Sequence, residues 1–164
     1  MAKIDFSTSD KYGRVLDYWE TRMLDDAALK RVVCRGAAII ADALRVAIDA
    51  LREREKGTNS VGVTKREKEL LAKHFGVTPI RRDRDGFLHA KIGWDGYSGS
   101  KTKQHPQGVP IPLLVRVIDS GTSWRKKLPF VRKTVKKYEQ AAVEEMQKAL
   151  DEELEDIFNF EGRT

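Results

Sequence analysis

The chain has 164 residues, 40% of them hydrophobic and 34% charged, which suits one modest core and not two. It holds no apolar run of ~18 residues, so a membrane-spanning helix is excluded, and a single cysteine excludes an internal disulfide. The opening MAKIDFSTSDKYGR lacks the apolar stretch of a secretory signal, so synthesis in the cytoplasm is the expectation.

The net charge of +6 hides an asymmetry. Residues 1–60 carry 11 Lys/Arg and 10 Asp/Glu, residues 61–138 carry 18 and 6, and residues 139–164 carry 2 and 9. A basic middle attracts polyanions and an acidic end repels them. The division also lets copies of one chain meet basic face to acidic face. Solvated faces kept for solubility are the plain alternative.

In chain order, Ser9 and Asp10 can cap a helix carrying Leu16, Trp19 and Met23. Residues 1–25 thus read as an arm or short helix ahead of the main domain. Asp25 and Asp26 offer a second start, followed by an apolar stripe from Leu29 to Leu51 at three- and four-residue steps. Its middle, RGAAIIADAL, is small enough for another backbone to approach closely. The helix is expected to run to Lys56 and Gly57, before a loop at Gly57-Thr58-Asn59-Ser60.

Thr64 with Glu67 three residues on fits a capping box. Leu70, Leu71 and Phe75 give the next helix its apolar side, and Gly76 is expected to end it. Pro79 starts an extended stretch, and Asp83-Arg84-Asp85-Gly86 is a hairpin signal before the alternating run FLHAKIGW. Leu88, Ala90, Ile92 and Trp94 then face the long helix. Residues 95–111 hold Gly96, Gly99, Pro106, Gly108 and Pro110 and read as a long mobile loop. In IPLLVRVIDSG, the Pro112 and Gly121 brackets favour a helix, with a strand as competitor because of its Val and Ile. Pro129 opens a final long helix with a stripe from Val131 to Ile157. Its first half is basic and its second half acidic, the order a helix dipole disfavours. The fold class expected is α+β: two long helices packed on a small antiparallel sheet, with additional short helices and a long loop.

No enzyme is indicated. His74, His89 and His105 lack ligand-like partners, so no metal is expected. Cys34 beside the apolar stripe reads as a buried or half-buried thiol. Gly93, Gly96 and Gly99 precede no Lys-Ser/Thr pair, which excludes a phosphate-binding P-loop, and no cofactor motif is present. Carboxylate pairs Asp25/Asp26 and Asp83/Asp85 sit where helix starts and turns explain them. Arg81, Arg82, Arg84, Lys101, Lys103, Arg125, Lys126, Lys127, Arg132 and Lys133 can form a basic patch. Trp94, Tyr97 and Trp124 interleave with it, and aromatic rings stack on bases. No sequence-specific nucleic-acid motif accompanies them.

One order of motifs is more specific. GWDGYSG leads to HPQGVPIPLLVRVIDSGTS and then to KKLPFVRKTVKKYEQAAVEEMQKAL. Within it, Val117-Ile118-Asp119-Ser120-Gly121-Thr122-Ser123 precedes Pro129-Phe130-Val131-Arg132. This order resembles the gene-product-ten-like minor tail family of long-tailed bacteriophages, whose members complete the tail at the head–tail joint. The resemblance covers about residues 26–158, leaving 159–164 as a tail, and is sharpest over 93–146. The chain departs from the family pattern in GTNSVGVTKREKELLAKHFGVTPIRRD, where many members have a Pro-x-Asp-Thr-Gly stretch and a basic strand.

The resemblance implies a structural virion protein at the neck, made in the host bacterial cytoplasm. It implies a ring of identical copies, a hexamer, that contacts the tail terminator and head-completion proteins, without membrane or cofactor. On that reading Arg125, Lys126, Lys127 and Lys133 of one copy meet Glu144, Glu145 and Glu152 of the next. Arg81, Arg82, Arg84, Lys101 and Lys103 are candidates to line a channel for DNA. Gly121, Thr122, Pro129 and Phe130 form the structural corner: a glycine that ends one helix, a hydroxyl for exposed backbone, and the proline and anchor of the next. The alternative is a small cytoplasmic protein that binds nucleic acid without sequence preference.

Overall fold

A computed structural model describes residues 26–55 and 61–160 of the chain. The helix expected after Ser9 and the loop at residues 57–60 lie outside the described residues. The fold is α+β. Helix α1 spans Asp26–Asp49 and α2 spans Lys65–Lys73. Four short strands follow: β1 Phe75–Val77, β2 Arg81–Arg82, β3 Leu88–His89 and β4 Ile92–Trp94. Helix α3 spans Ile111–Ser120 and α4 spans Phe130–Phe160.

The two long helices run antiparallel. Their N- and C-terminal halves are matched by contacts of Arg31 with Glu153 and of Arg35 with Glu145. The small-residue middle of α1 permits the close approach read from its sequence. A Cβ on Gly36 would fall 2.4 Å from Met146 Cγ and 3.2 Å from the Ala142 carbonyl oxygen. Helix α1 stops several residues before Lys56. Leu51 is buried there, and the chain turns extended so that Val63 N–H donates to the Arg52 carbonyl and Arg54 N–H to the Val63 carbonyl. Burying Leu51 and Val63 side by side replaces a polar RERE turn that had nothing to pack against.

The capping box forms as expected. Thr64 Oγ1 accepts from Glu67 N–H, and Glu67 Oε2 accepts from Thr64 N–H at 2.8 Å. Helix α2 ends at Lys73 with His74 at its cap, so Gly76 is not the terminator. It lies in β1, paired antiparallel with Gly93 of β4. The strands form one hairpin in two parts, β1–β4 and β2–β3. Thr78 N–H still follows the first register, donating to the Lys91 carbonyl, while Arg81 already faces His89. Pro79 and Ile80 therefore oppose Ala90 alone. This is a bulge placed at the residue that cannot donate to a ladder.

The core gathers Ile48, Leu51, Val63, Leu71, Ile111, Val115, Ile118 and Phe130. Each large apolar side chain there contributes about 1.5–3 kcal/mol by leaving water. Trp94 closes it, with ring centroids 5.1 Å from Phe75 and 5.9 Å from Phe130 and its Nε1 donating to the Leu71 carbonyl. The segment expected to be a mobile loop is stitched at its base. Ile111 N–H donates to the Gly96 carbonyl, Ser98 N–H to the Val109 carbonyl and Val109 N–H to the Ser100 carbonyl. Helix α3 is helical, as its Pro and Gly brackets indicate.

Candidate assembly surface

The corner between α3 and α4 is built from the residues that carry the resemblance. Gly121 ends α3 with a φ of 75°, in the left-handed region that glycine enters without strain. Thr122 and Arg125 exchange backbone hydrogen bonds and form a tight turn. The Pro129 carbonyl accepts from Lys133 N–H in the first turn of α4, and Phe130 drops into the core.

Asp119, 7% exposed, locks the corner. One carboxylate oxygen accepts from Val131 N–H at 2.9 Å and the other from Arg132 Nε at 2.8 Å. Ser120 Oγ accepts from the same guanidinium at 3.0 Å. Helix α4 opens with basic residues, yet its N-terminus receives an anion from the end of α3, where the dipole favours one.

Arg125 is internal. Its guanidinium donates to both oxygens of Glu67, at 2.7 and 3.2 Å, and to the Gly62 carbonyl at 3.0 Å. Burial pushes the Glu67 carboxyl up, but hydrogen bonds from Arg125 and from Thr64 N–H outweigh it and hold the group below the usual carboxylate range. A depressed folded-state value stabilises the fold above the ordinary carboxylate range, and that stabilisation is lost as pH falls through it. Glu67→Gln keeps an acceptor for the capping box and removes the charge. It is expected to cost about 2 kcal/mol near neutral pH and to flatten acid unfolding followed by circular dichroism. An unaltered pH profile would mean that the pair does not govern it.

The acidic half of α4 is also partly engaged. The Arg35 guanidinium is held by both Glu145 and Glu152, and Arg31 is bidentate on Glu153 at 2.6 Å. The hydrogen bonds that Arg35 donates to Glu152 and then to Glu145 raise the Arg35 pKa, and the same bond lowers that of Glu152. Such exposed pairs add little singly, but together they fix the helix register. They also account for part of the charge order that the dipole of α4 disfavours: Glu145, Glu152 and Glu153 answer arginines on α1. Arg125, Glu145 and Glu152, expected at a contact between copies, therefore have partners within their own chain. These partners lie far off in sequence, where no local pattern reveals them. Lys126, Lys127, Lys133 and Glu144 are exposed. The three lysines make no ion pair among the described residues, and Glu144 accepts only from Gln140.

Of the channel candidates, Arg82 pairs with Asp26 and donates to the Gly86 carbonyl, so it ties the hairpin to α1. Arg81, Arg84, Lys101 and Lys103 are exposed, the arginines on the hairpin and the lysines on the loop. Among the aromatics, Trp94 belongs to the core, whereas Tyr97 and Trp124 face solvent. Cys34 is exposed, not buried. It lines a groove of about 500 Å³ between α1 and the hairpin bulge.

A second cleft, of about 620 Å³, lies between the outer face of α3, the loop tip and the turn after Gly121. Leu113, Leu114, Val117 and Trp124 line it, together with Lys103 and His105. Sequence reading named Trp124 but not this grouping. The i, i+4 spacing of Leu113 and Val117 on the face of α3 away from the core was its available signal. Among the described residues there is no cluster of His, Cys, Asp or Glu that would hold a metal, and no helix long and apolar enough to cross a membrane. Compared with known proteins, the chain matches no family model, no curated protein and no solved structure.

Proposed function

We propose that the chain is a structural protein of the head–tail joint of a long-tailed bacteriophage, completing the tail as a ring of identical copies. It docks there on tail-terminator and head-completion proteins. The observation that supports this reading is the corner itself. Asp119, Gly121, Pro129, Phe130 and Arg132, the residues of the resemblance, meet in one hydrogen-bonded corner, beside which Lys126, Lys127 and Lys133 are exposed and make no ion pair among the described residues. A ring requires one surface of each copy to meet a different surface of the next. Here the basic start of α4 meets free acids on the second half of a neighbouring α4, Glu144 and Asp151 among them.

Charge reversal at Lys126, Lys127 and Lys133 is expected to weaken self-association at least tenfold in sedimentation velocity. Reversal of Glu144 and Asp151 in a second preparation should restore it on mixing. Oligomers that ignore the reversal would reject the contact. Arg81, Arg84, Lys101 and Lys103 remain the groups to line a channel, with weak binding that falls steeply with salt.

A second reading, a cytoplasmic nucleic-acid-binding protein, draws on Trp124, 73% exposed and close in sequence to Lys126 and Lys127. It requires a monomer or dimer that holds single-stranded DNA at physiological salt, with loss on Trp124→Ala.

A further inference from the structure

Two exposed surfaces of this chain match in character and charge, and neither is occupied by another of the described residues. The first is the cleft under the loop. Its apolar floor includes Trp124, 73% exposed, and Leu113, 37% exposed. Lys103 and Arg54 line it, and exposed Lys126 and Lys127 follow its Trp124 by two and three residues. The single carboxylate in its wall, Glu67, is bound to Arg125. A grouped apolar floor with Lys103 in its wall and exposed lysines next in sequence to its tryptophan calls for a partner that is apolar in the middle and acidic at the sides.

The second surface is the outer face of α4. Val143 is 48% exposed and Leu150 39% exposed. They stand seven residues apart, two turns along one side, a separation of about 10 Å. Exposed Glu144 and Asp151 repeat the same spacing one residue on. The acids that pair with Arg31 and Arg35 are Glu145, Glu152 and Glu153; Glu144 and Asp151 stay free of ion pairs among the described residues. Two apolar knobs flanked by two acids match the cleft in both character and charge.

We infer that Val143 and Leu150 of one copy seat in the Leu113–Trp124 cleft of the next, with Glu144 and Asp151 against these lysines. The inference rests on the ring reading and gives that contact an apolar centre. The lysines steer and orient the approach, and the tryptophan, covered on contact, supplies most of the adhesion. Because the two surfaces differ, every copy offers one of each, and the contact propagates head to tail until rotation closes it.

The test uses the full chain in three forms: wild type, a cleft variant with Leu113→Ser and Trp124→Ser, and a ridge variant with Val143→Lys and Leu150→Lys. All four positions are solvent-exposed, so the variants should keep the wild-type circular dichroism spectrum. In sedimentation velocity, wild type is expected to associate with rising concentration, and each variant alone to need at least tenfold more protein. An equimolar mixture of the two variants should give heterodimers and nothing longer, since one intact cleft meets one intact ridge. Should a variant unfold, Trp124→Cys and Leu150→Cys placed on separate Cys34→Ser chains should form a disulfide-linked dimer on oxidation.

Wild-type oligomers that survive both variants, or a mixture that does not pair, would overturn this contact while leaving the ring reading intact. Loss in the cleft variant alone would assign the cleft to a different partner and overturn it too. A wild type that stays monomeric at every concentration would remove both the contact and the ring.

Discussion

Replacing Asp119 with alanine is expected to destabilise the fold by about 3 kcal/mol, combining the loss of a helix cap with that of a charge-assisted hydrogen bond. In a chain of this size that lowers the unfolding midpoint by roughly 6–12 °C. The carboxylate is almost fully buried and accepts from Val131 N–H and Arg132 Nε, so its removal strands a backbone donor at the start of α4. Asp119→Asn retains one acceptor for Val131 and loses the charge, and should cost about 1 kcal/mol. Arg132, largely solvent-exposed, should matter less than its partner, because its other face is already hydrated. Thermal unfolding of Asp119→Ala, Asp119→Asn and Arg132→Ala orders them. Equal midpoints for Asp119→Ala and Asp119→Asn would show that charge alone matters and that the cap contributes nothing.

Gly108→Ala is expected to be about as damaging, for a backbone reason. Gly108 has a φ of 110°, and an added Cβ would lie 1.9 Å from the Ser98 carbonyl oxygen. A conformation of this kind costs a non-glycine residue about 1–3 kcal/mol. Relieving the clash also requires the base of the 95–110 loop to open, which sacrifices the paired hydrogen bonds between Ser98 and Val109 at about 1 kcal/mol each. The expected total is roughly 3 kcal/mol, with fast amide exchange at Val109 as the local sign. Protection at Val109 equal to that of wild type would show that the loop accommodates the methyl group without opening.

The parts legible in the sequence are those whose causes lie within a few residues. Thr64 and Glu67 announce their own capping box, and Pro112 with Gly121 mark α3 as a helix despite its β-branched content. The corner was legible as a motif, Asp119 and Arg132 included, although their ion pair spans a turn that spacing alone does not close. What stayed hidden depends on distant partners. Phe75-Gly76-Val77 is too short to show a period and becomes a strand only because β4 lies beside it. Helix α1 stops early because Val63 draws residues 52–54 into extended pairing. Arg31 and Arg35 carry no local sign that their acids sit on α4, and this same ignorance made Glu145 and Glu152 look available to a neighbour. Trp124 was visible as an aromatic, but its cleft needed α3 and the loop to be brought together.

The antiparallel pairing of α1 with α4 also has a temporal side. Arg35 waits for Glu145, 110 positions downstream, and at about 5–20 residues per second a ribosome needs roughly 6–22 seconds to supply it. Until then the face of α1 that will receive α4, Gly36 included, lacks the helix that covers it in the folded chain. Slow translation or early termination before α4 therefore prolongs the exposure of that face and favours aggregation.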